Sequence, residues 1–325
     1  MKSIRTAIHI YQRSEGHVLL FYTRRDFLSF YTIISVCAQM NGVSVLALAQ
    51  MYDHIHILVT GDNRQSISKF VQMYSSKYAK EFNGEYGQRG MVFEKPFGAS
   101  VKIGEKSIRT CAGYIYNNHT NKKLCDKAES IRWNYLAYAH SNNPFSPAIK
   151  RESASTRLRS ALTIVDLESR LCRPLNHATL QRIFRGLDKT ETEQLTDYII
   201  DTYRFIDYAA LESLYRSYDE MVYSFNANTF NDYDINEDMA DRRGDDTVFR
   251  DMARYILSLG RFGNLKQVIS LPEDRRIGLA TELKVITRGS WKQIGSYLRL
   301  KLRAASPQET DTPTSFQNYA PICFA

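Results

Sequence analysis

The chain has 325 residues, 43% of them apolar and 24% charged, with a formal net charge of +8; this length allows two domains, and the charge favours a polyanionic partner, nucleic acid ahead of an anionic membrane. Five scattered cysteines (Cys37, Cys111, Cys125, Cys172, Cys323) without a C-x-x-C pair argue against a disulfide framework and a zinc knuckle, and fit a reducing cytoplasm. No apolar leader opens the chain, and no stretch reaches the roughly 18 apolar residues of a membrane span, so a cytoplasmic, nucleoid-associated protein without membrane contact is expected.

In chain order, residues 4–12 read as a first strand, and residues 26–40 have apolar side chains at helical spacing, closed by Asn41-Gly42. Residues 43–50 and 54–60 are two β-rich runs joined by Met51-Tyr52-Asp53, a connection suited to a hairpin. A second amphipathic helix is predicted over 65–82, ended by Asn83-Gly84, then strand within 90–104 and a third helix over 105–118. The order β, α, β, β, α, β, α implies an antiparallel sheet with helices packed on it, an α+β domain ending soon after Tyr138. Beyond it the composition turns helical. Residues 226–246 are acidic and polar enough for a linker, and the Pro/Ser/Thr-rich tail from 305 to 325 reads as disordered.

The sharpest local feature is His54-Ile55-His56. Alternation on a strand puts both imidazoles on one face, roughly 7 Å apart, where they can grip one divalent cation. A polar pair inside an apolar strand costs free energy to bury without strong partners, and a cation is such a partner. Sixty residues on, Tyr114 and Asn118 lie four apart and therefore share one face of a helix. A tyrosine hydroxyl can attack phosphorus, and an amide oxygen one turn away can complete a metal site begun by two histidines. Tyr116 is the rival nucleophile, but helix geometry rotates it about 200° from Tyr114.

Together these segments resemble a family. MYDHIHILV at 51–59 is similar to the M-P-N-H-x-H-L-L-V strand of the REP-associated tyrosine transposases, YIYNN at 114–118 to their Y-I-x-x-N-P helix, and IRWNY at 131–135 to their W-S-S-Y segment. The resemblance covers about residues 4–140. It implies a ferredoxin-like HUH domain over 1–142, a Mg²⁺ or Mn²⁺ cofactor, and a tyrosine that cuts single-stranded DNA at a hairpin, leaving a 5′-phosphotyrosine and a free 3′-OH. Carried over by position, His54, His56 and Asn118 become metal ligands and Tyr114 the catalytic nucleophile. Two departures stand out. Tyr52-Asp53 replaces Pro-Asn, and alternation would send Asp53 to the face opposite the ligands. His119 replaces the proline, where it could extend the helix or compete as a ligand.

The second half, 143–304, reads as a helical accessory region. Within it, residues 274–303 read as two short helices joined by Thr287-Arg288-Gly289-Ser290, with Ser290 an N-cap. That is helix-turn-helix spacing, and equally that of an ordinary helical hairpin with a basic face. For contacts with single-stranded or hairpin DNA the candidates are Arg13, Lys122, Lys123, Arg132, Trp133, Arg288, Trp291 and Lys292, cations for phosphate and rings for bases. Both a monomer and a homodimer are compatible with this organisation. Three activities remain open: a tyrosine nuclease and strand transferase, a DNA-binding regulator that no longer cuts, and a phosphoesterase using water, for which the carboxylates near H-x-H are too few.

Overall fold

The computed structural model describes residues 4–61, 63–227 and 245–301. The expected disordered tail and most of the expected 226–246 linker lie outside the described residues.

Strands β1 (Thr6–Arg13), β2 (Ser44–Gln50), β3 (His54–Thr60) and β4 (Gly98–Ile103) form one sheet in the order β2-β3-β1-β4, every neighbour antiparallel. With helix α1 (Arg24–Asn41) between β1 and β2, and α2 (Arg64–Tyr86) between β3 and β4, this is the ferredoxin-like β-α-β-β-α-β arrangement. Helix α3 (Glu105–Asn121) follows β4. The expected α+β architecture is therefore present, and its register decides what each face carries.

Alternation along β3 divides the sheet's two sides. Ile55, Ile57 and Val59 join Ile10 and Leu48 in a core roofed by α1 and α2. His54, His56 and Leu58 point the other way, and Leu58 packs with Ala7, Ala47 and Ala49 against Ile108, Ala112 and Ile115 of α3. The helices have firm ends. Thr23 and Asp26 form a capping box at the start of α1, and Gly42, at φ 60°, closes it in the left-handed region that glycine adopts without penalty. The Asn63 side chain accepts from the Ser66 amide at the start of α2. Asn83-Gly84 does not end that helix as expected. The helix runs on to Tyr86 and closes at Gly87, because Tyr86 buries against Phe82 and donates to Asp26, which rewards one more turn.

The second half is helical, as expected, but it is not one body set apart from the sheet domain. Helices α5 (His177–Phe184) and α6 (Lys189–Thr202) bury their apolar faces on α1, and α4 (Thr156–Arg170) packs on both, extending the same core. Helices α7 (Tyr208–Glu212) and α8 (Tyr218–Ala227) pack beside α3. The last four described helices, α9 (Thr247–Ser258), α10 (Leu265–Ile269), α11 (Glu273–Ile286) and α12 (Trp291–Leu298), enclose a separate cluster around Met252, Leu283 and Ile294. That module rests on Leu19, Tyr22 and Tyr52 of the sheet domain, and the Leu19 amide donates to the Ser296 carbonyl.

Candidate active site

The α3-facing side of the sheet is where polar residues gather. His54 and His56, two apart on β3, have ring centroids 5.0 Å apart. Tyr114, on the α3 turn that faces them, has its ring 5.3 Å from that of His56, edge to face. Asn118, one turn further on, is buried, and its Nδ2 donates to the Tyr114 carbonyl at 2.9 Å. That bond leaves Oδ1, the atom a cation would take, outside it.

The rival Tyr116 is buried elsewhere. Its ring packs on Phe225, and its hydroxyl reaches the Leu46 carbonyl of β2. Burial pushes that phenol far above its ordinary range, whereas Tyr114 keeps partial exposure.

Two neighbours hold the histidines, and neither was expected from sequence. His9, on β1, pairs in register with Leu58, two residues from His56. Diagonal neighbours across a ladder lie within reach of aromatic side chains, and His9 Nε2 meets His56 Nδ1 at 3.1 Å. Asp53 was expected on the far face. It lies in the turn before β3, where strand alternation does not apply, and its Oδ1 takes His54 Nδ1 at 2.6 Å. Backbone bonds fix that turn: the Tyr52 carbonyl accepts from the Leu20 and Phe21 amides, and the Asp53 carbonyl from Ser14.

The electrostatics follow from this packing. Burial, reinforced by His54 and Arg13, holds His56 well below the usual imidazole range, so its ring is neutral and keeps a lone pair for a ligand. Burial would raise the Asp53 carboxyl, but His54, Lys122 and Arg13 outweigh it and hold it at about 2. His119 extends the helix rather than ending it. Its Nε2 is bonded to the Gln50 carbonyl, and burial lowers its pKa to about 3. It is therefore a neutral packing group and not a competing ligand through that nitrogen.

Among the described residues no three His, Cys, Asp or Glu side chains form a metal-binding group. A divalent ion at this place would draw the rest of its shell from oxygens of an amide, a phosphate or water. Two imidazole nitrogens on β3 and the Asn118 oxygen on the facing α3 are a mixed N/O donor set of the kind a small divalent cation takes.

The expected DNA contacts divide. Arg132 and Trp133 are engaged within the protein. The Arg132 guanidinium bonds Asp197 at 2.8 Å and Glu193 at 2.6 Å, with the Tyr138 hydroxyl also on its Nε, and Trp133 stacks on Phe27 at 4.4 Å. A cation with those bonds occupied has few donors left for phosphate. Arg13 stands opposite His54 in the ladder, and Lys122 caps α3. Lys123 reaches Asp245 at 3.8 Å. Across an open cleft from Asp53 and Lys122 lie Arg288 and Lys292, both exposed, at the start of α12. Ser290 caps α12 in a capping box with Gln293, as its position suggested, and Trp291 lies beside Lys284. No described helix is long and apolar enough to cross a membrane.

Residues 8–118 match the family model described as transposase, IS200-like. A solved structure of a REP-associated tyrosine transposase bound to a REP hairpin is similar at 12% identity, over 43% of this chain and 82% of that one, with a TM-score of 0.33. No curated protein matches the chain.

Proposed function

We propose that residues 8–118, which match the IS200-like transposase family model, form a domain of that kind, and that this protein cuts and rejoins single-stranded DNA through Tyr114. The observation that carries the reading is the approach of the Tyr114 ring to His56, beside His54, with Asn118 one turn further along the same helix. Tyr116 offers no rival, since its hydroxyl is buried against β2.

The Tyr114 oxygen attacks the phosphorus of a phosphodiester. A phenol O–P bond forms as the P–O3′ bond breaks, the phenolic proton passes to solvent, and the leaving 3′ oxygen takes up a proton. The products are a 5′-phosphotyrosine and a free 3′-OH. Attack by a 3′-OH on the phosphotyrosine reverses the sequence and transfers the strand, with no bond energy lost. His54, His56 and Asn118 would hold a Mg²⁺ or Mn²⁺ ion, whose chemistry is to polarise a phosphate oxygen and steady the charge of the transition state. Burial keeps the His56 ring neutral, and the partial exposure of Tyr114 leaves its hydroxyl a path to solvent for the proton. Arg13, Lys122, Lys123, Arg288 and Lys292 supply phosphate contacts, and Trp291 a face for an unpaired base. The substrate we propose is single-stranded DNA carrying a hairpin.

The test is a 3′-labelled hairpin oligonucleotide with Mn²⁺, resolved on a denaturing gel. Label retained by the wild-type protein, and lost by about 10⁴-fold or more in Tyr114→Phe, is the expected result. Cleavage without an adduct would mean that water is the nucleophile. Salt-sensitive binding with neither would mean a DNA-binding regulator.

A further inference from the structure

Both histidines of the candidate site are held through the same ring nitrogen. His54 Nδ1 lies 2.6 Å from Asp53 Oδ1, and His56 Nδ1 lies 3.1 Å from His9 Nε2. We propose that Asp53 and His9 are positioning residues that lock both imidazoles as the Nδ1–H tautomer, presenting Nε2 as the coordinating atom. This rests on the metal-site reading above and adds to it which atoms coordinate and what aims them.

A carboxylate can only accept, so Asp53 fixes the proton on His54 Nδ1 and leaves Nε2 with its lone pair. Between two neutral imidazoles one nitrogen must donate and the other accept. With His56 Nε2 given to the cation, its Nδ1 carries the proton, His9 Nε2 accepts it, and the His9 ring keeps its own proton on its buried Nδ1. The fold supports both contacts from outside the site. His9 is fully buried on β1, and its ring stacks with that of His56 at 5.2 Å. Asp53 is fixed by the Ser14 amide on its carbonyl and by the bonds to Tyr52 beside it. Ligand imidazoles whose second nitrogen is held in this way lose about 10- to 100-fold in metal affinity when the holding group is removed. The two holders are unlike, a charged acceptor on His54 and a neutral one on His56, so their removal should be separable.

The test uses the full chain and Mn²⁺ alone, with binding read from the electron spin resonance of the free ion. His9→Leu and Asp53→Ala should each weaken binding about 10- to 100-fold. His9→Gln, whose Oε1 can stand where Nε2 stood, and Asp53→Asn, which keeps an acceptor, should restore most of it. The nitrogen-15 spectrum of imidazole-labelled, metal-free wild-type protein gives a second readout that needs no variant. His54 and His56 should each be protonated on Nδ1. Protonation of His56 on Nε2, or His9→Gln binding as weakly as His9→Leu while both fold, would overturn the proposal. A wild-type protein that binds no Mn²⁺, or that binds as well after His56→Ala, would instead overturn the metal-site reading and the proposal with it.

Discussion

The two faces of one four-stranded sheet are built to different ends. Towards α1 and α2, β3 presents Ile55, Ile57 and Val59, packed among Phe30, Tyr74 and Phe82 with almost no exposure. Towards α3 the same strand presents His54 and His56, with His9, Asn118 and His119 nearby, all buried and all polar. A shift of one residue along β3 would exchange the two sets. The apolar face supplies the stability that lets the other keep imidazoles out of water. Dry packing and chemistry are thus separated by the pleat of a single strand.

That division can be broken from either side. The largest stability effect is expected where a charge is embedded behind the apolar face. Arg132→Ala leaves Asp197, 1% exposed, without its guanidinium, and should cost about 3–5 kcal/mol in urea unfolding; the adduct should still form wherever the protein stays folded. Ile57→Ala, a cavity in the shared core, should cost about 2–5 kcal/mol by the same measurement. If the adduct disappears at temperatures where that variant is folded, the two faces are not separable.

His177 sharpens the comparison through pH. It bonds Asp26 at 2.8 Å, and although burial works against the charge, Asp26 and Glu81 raise its pKa to about 9. A raised imidazole stabilises the fold fully below its unfolded value near 6.5, and that contribution is lost as the pH climbs through about 9. The loss should approach about 3 kcal/mol, seen as a fall in Tm between pH 7 and pH 10 that is absent in His177→Gln. The smallest effect is expected at the solvent edge of the other face. Lys292→Ala should leave Tm unchanged, weaken hairpin binding several-fold and reduce the salt dependence of binding by about one ion.

Much of this was legible in the residues. Alternation placed His54 and His56 on one side of a strand, and helical spacing placed Tyr114 over Asn118 and turned Tyr116 away. What could not be read depended on pairing register or on distant partners. His9 looks like an isolated histidine in an opening strand until the ladder sets it beside His56. Asp53 was misplaced because strand periodicity was extended one residue into a turn. Arg132-Trp133 has the look of a nucleic-acid contact, a cation beside a ring. Its partners Glu193 and Asp197 come more than sixty residues later, on a helix whose docking on α1 no local pattern announces. The same limit hid the sharing of one core by α4–α6 and the sheet domain.

The turn at 51–53 has a consequence of its own. Its backbone carbonyls are tied to residues 14–21, its Tyr52 ring lies against Phe249 of the last helical module, and its Asp53 carboxylate aims a candidate ligand. Three remote parts of the chain therefore meet at one peptide bend. Removing the terminal module would uncover the Tyr52 ring, whereas the backbone bonds to residues 14–21 would still hold the bend, so one peptide turn carries two loads that can be lifted separately.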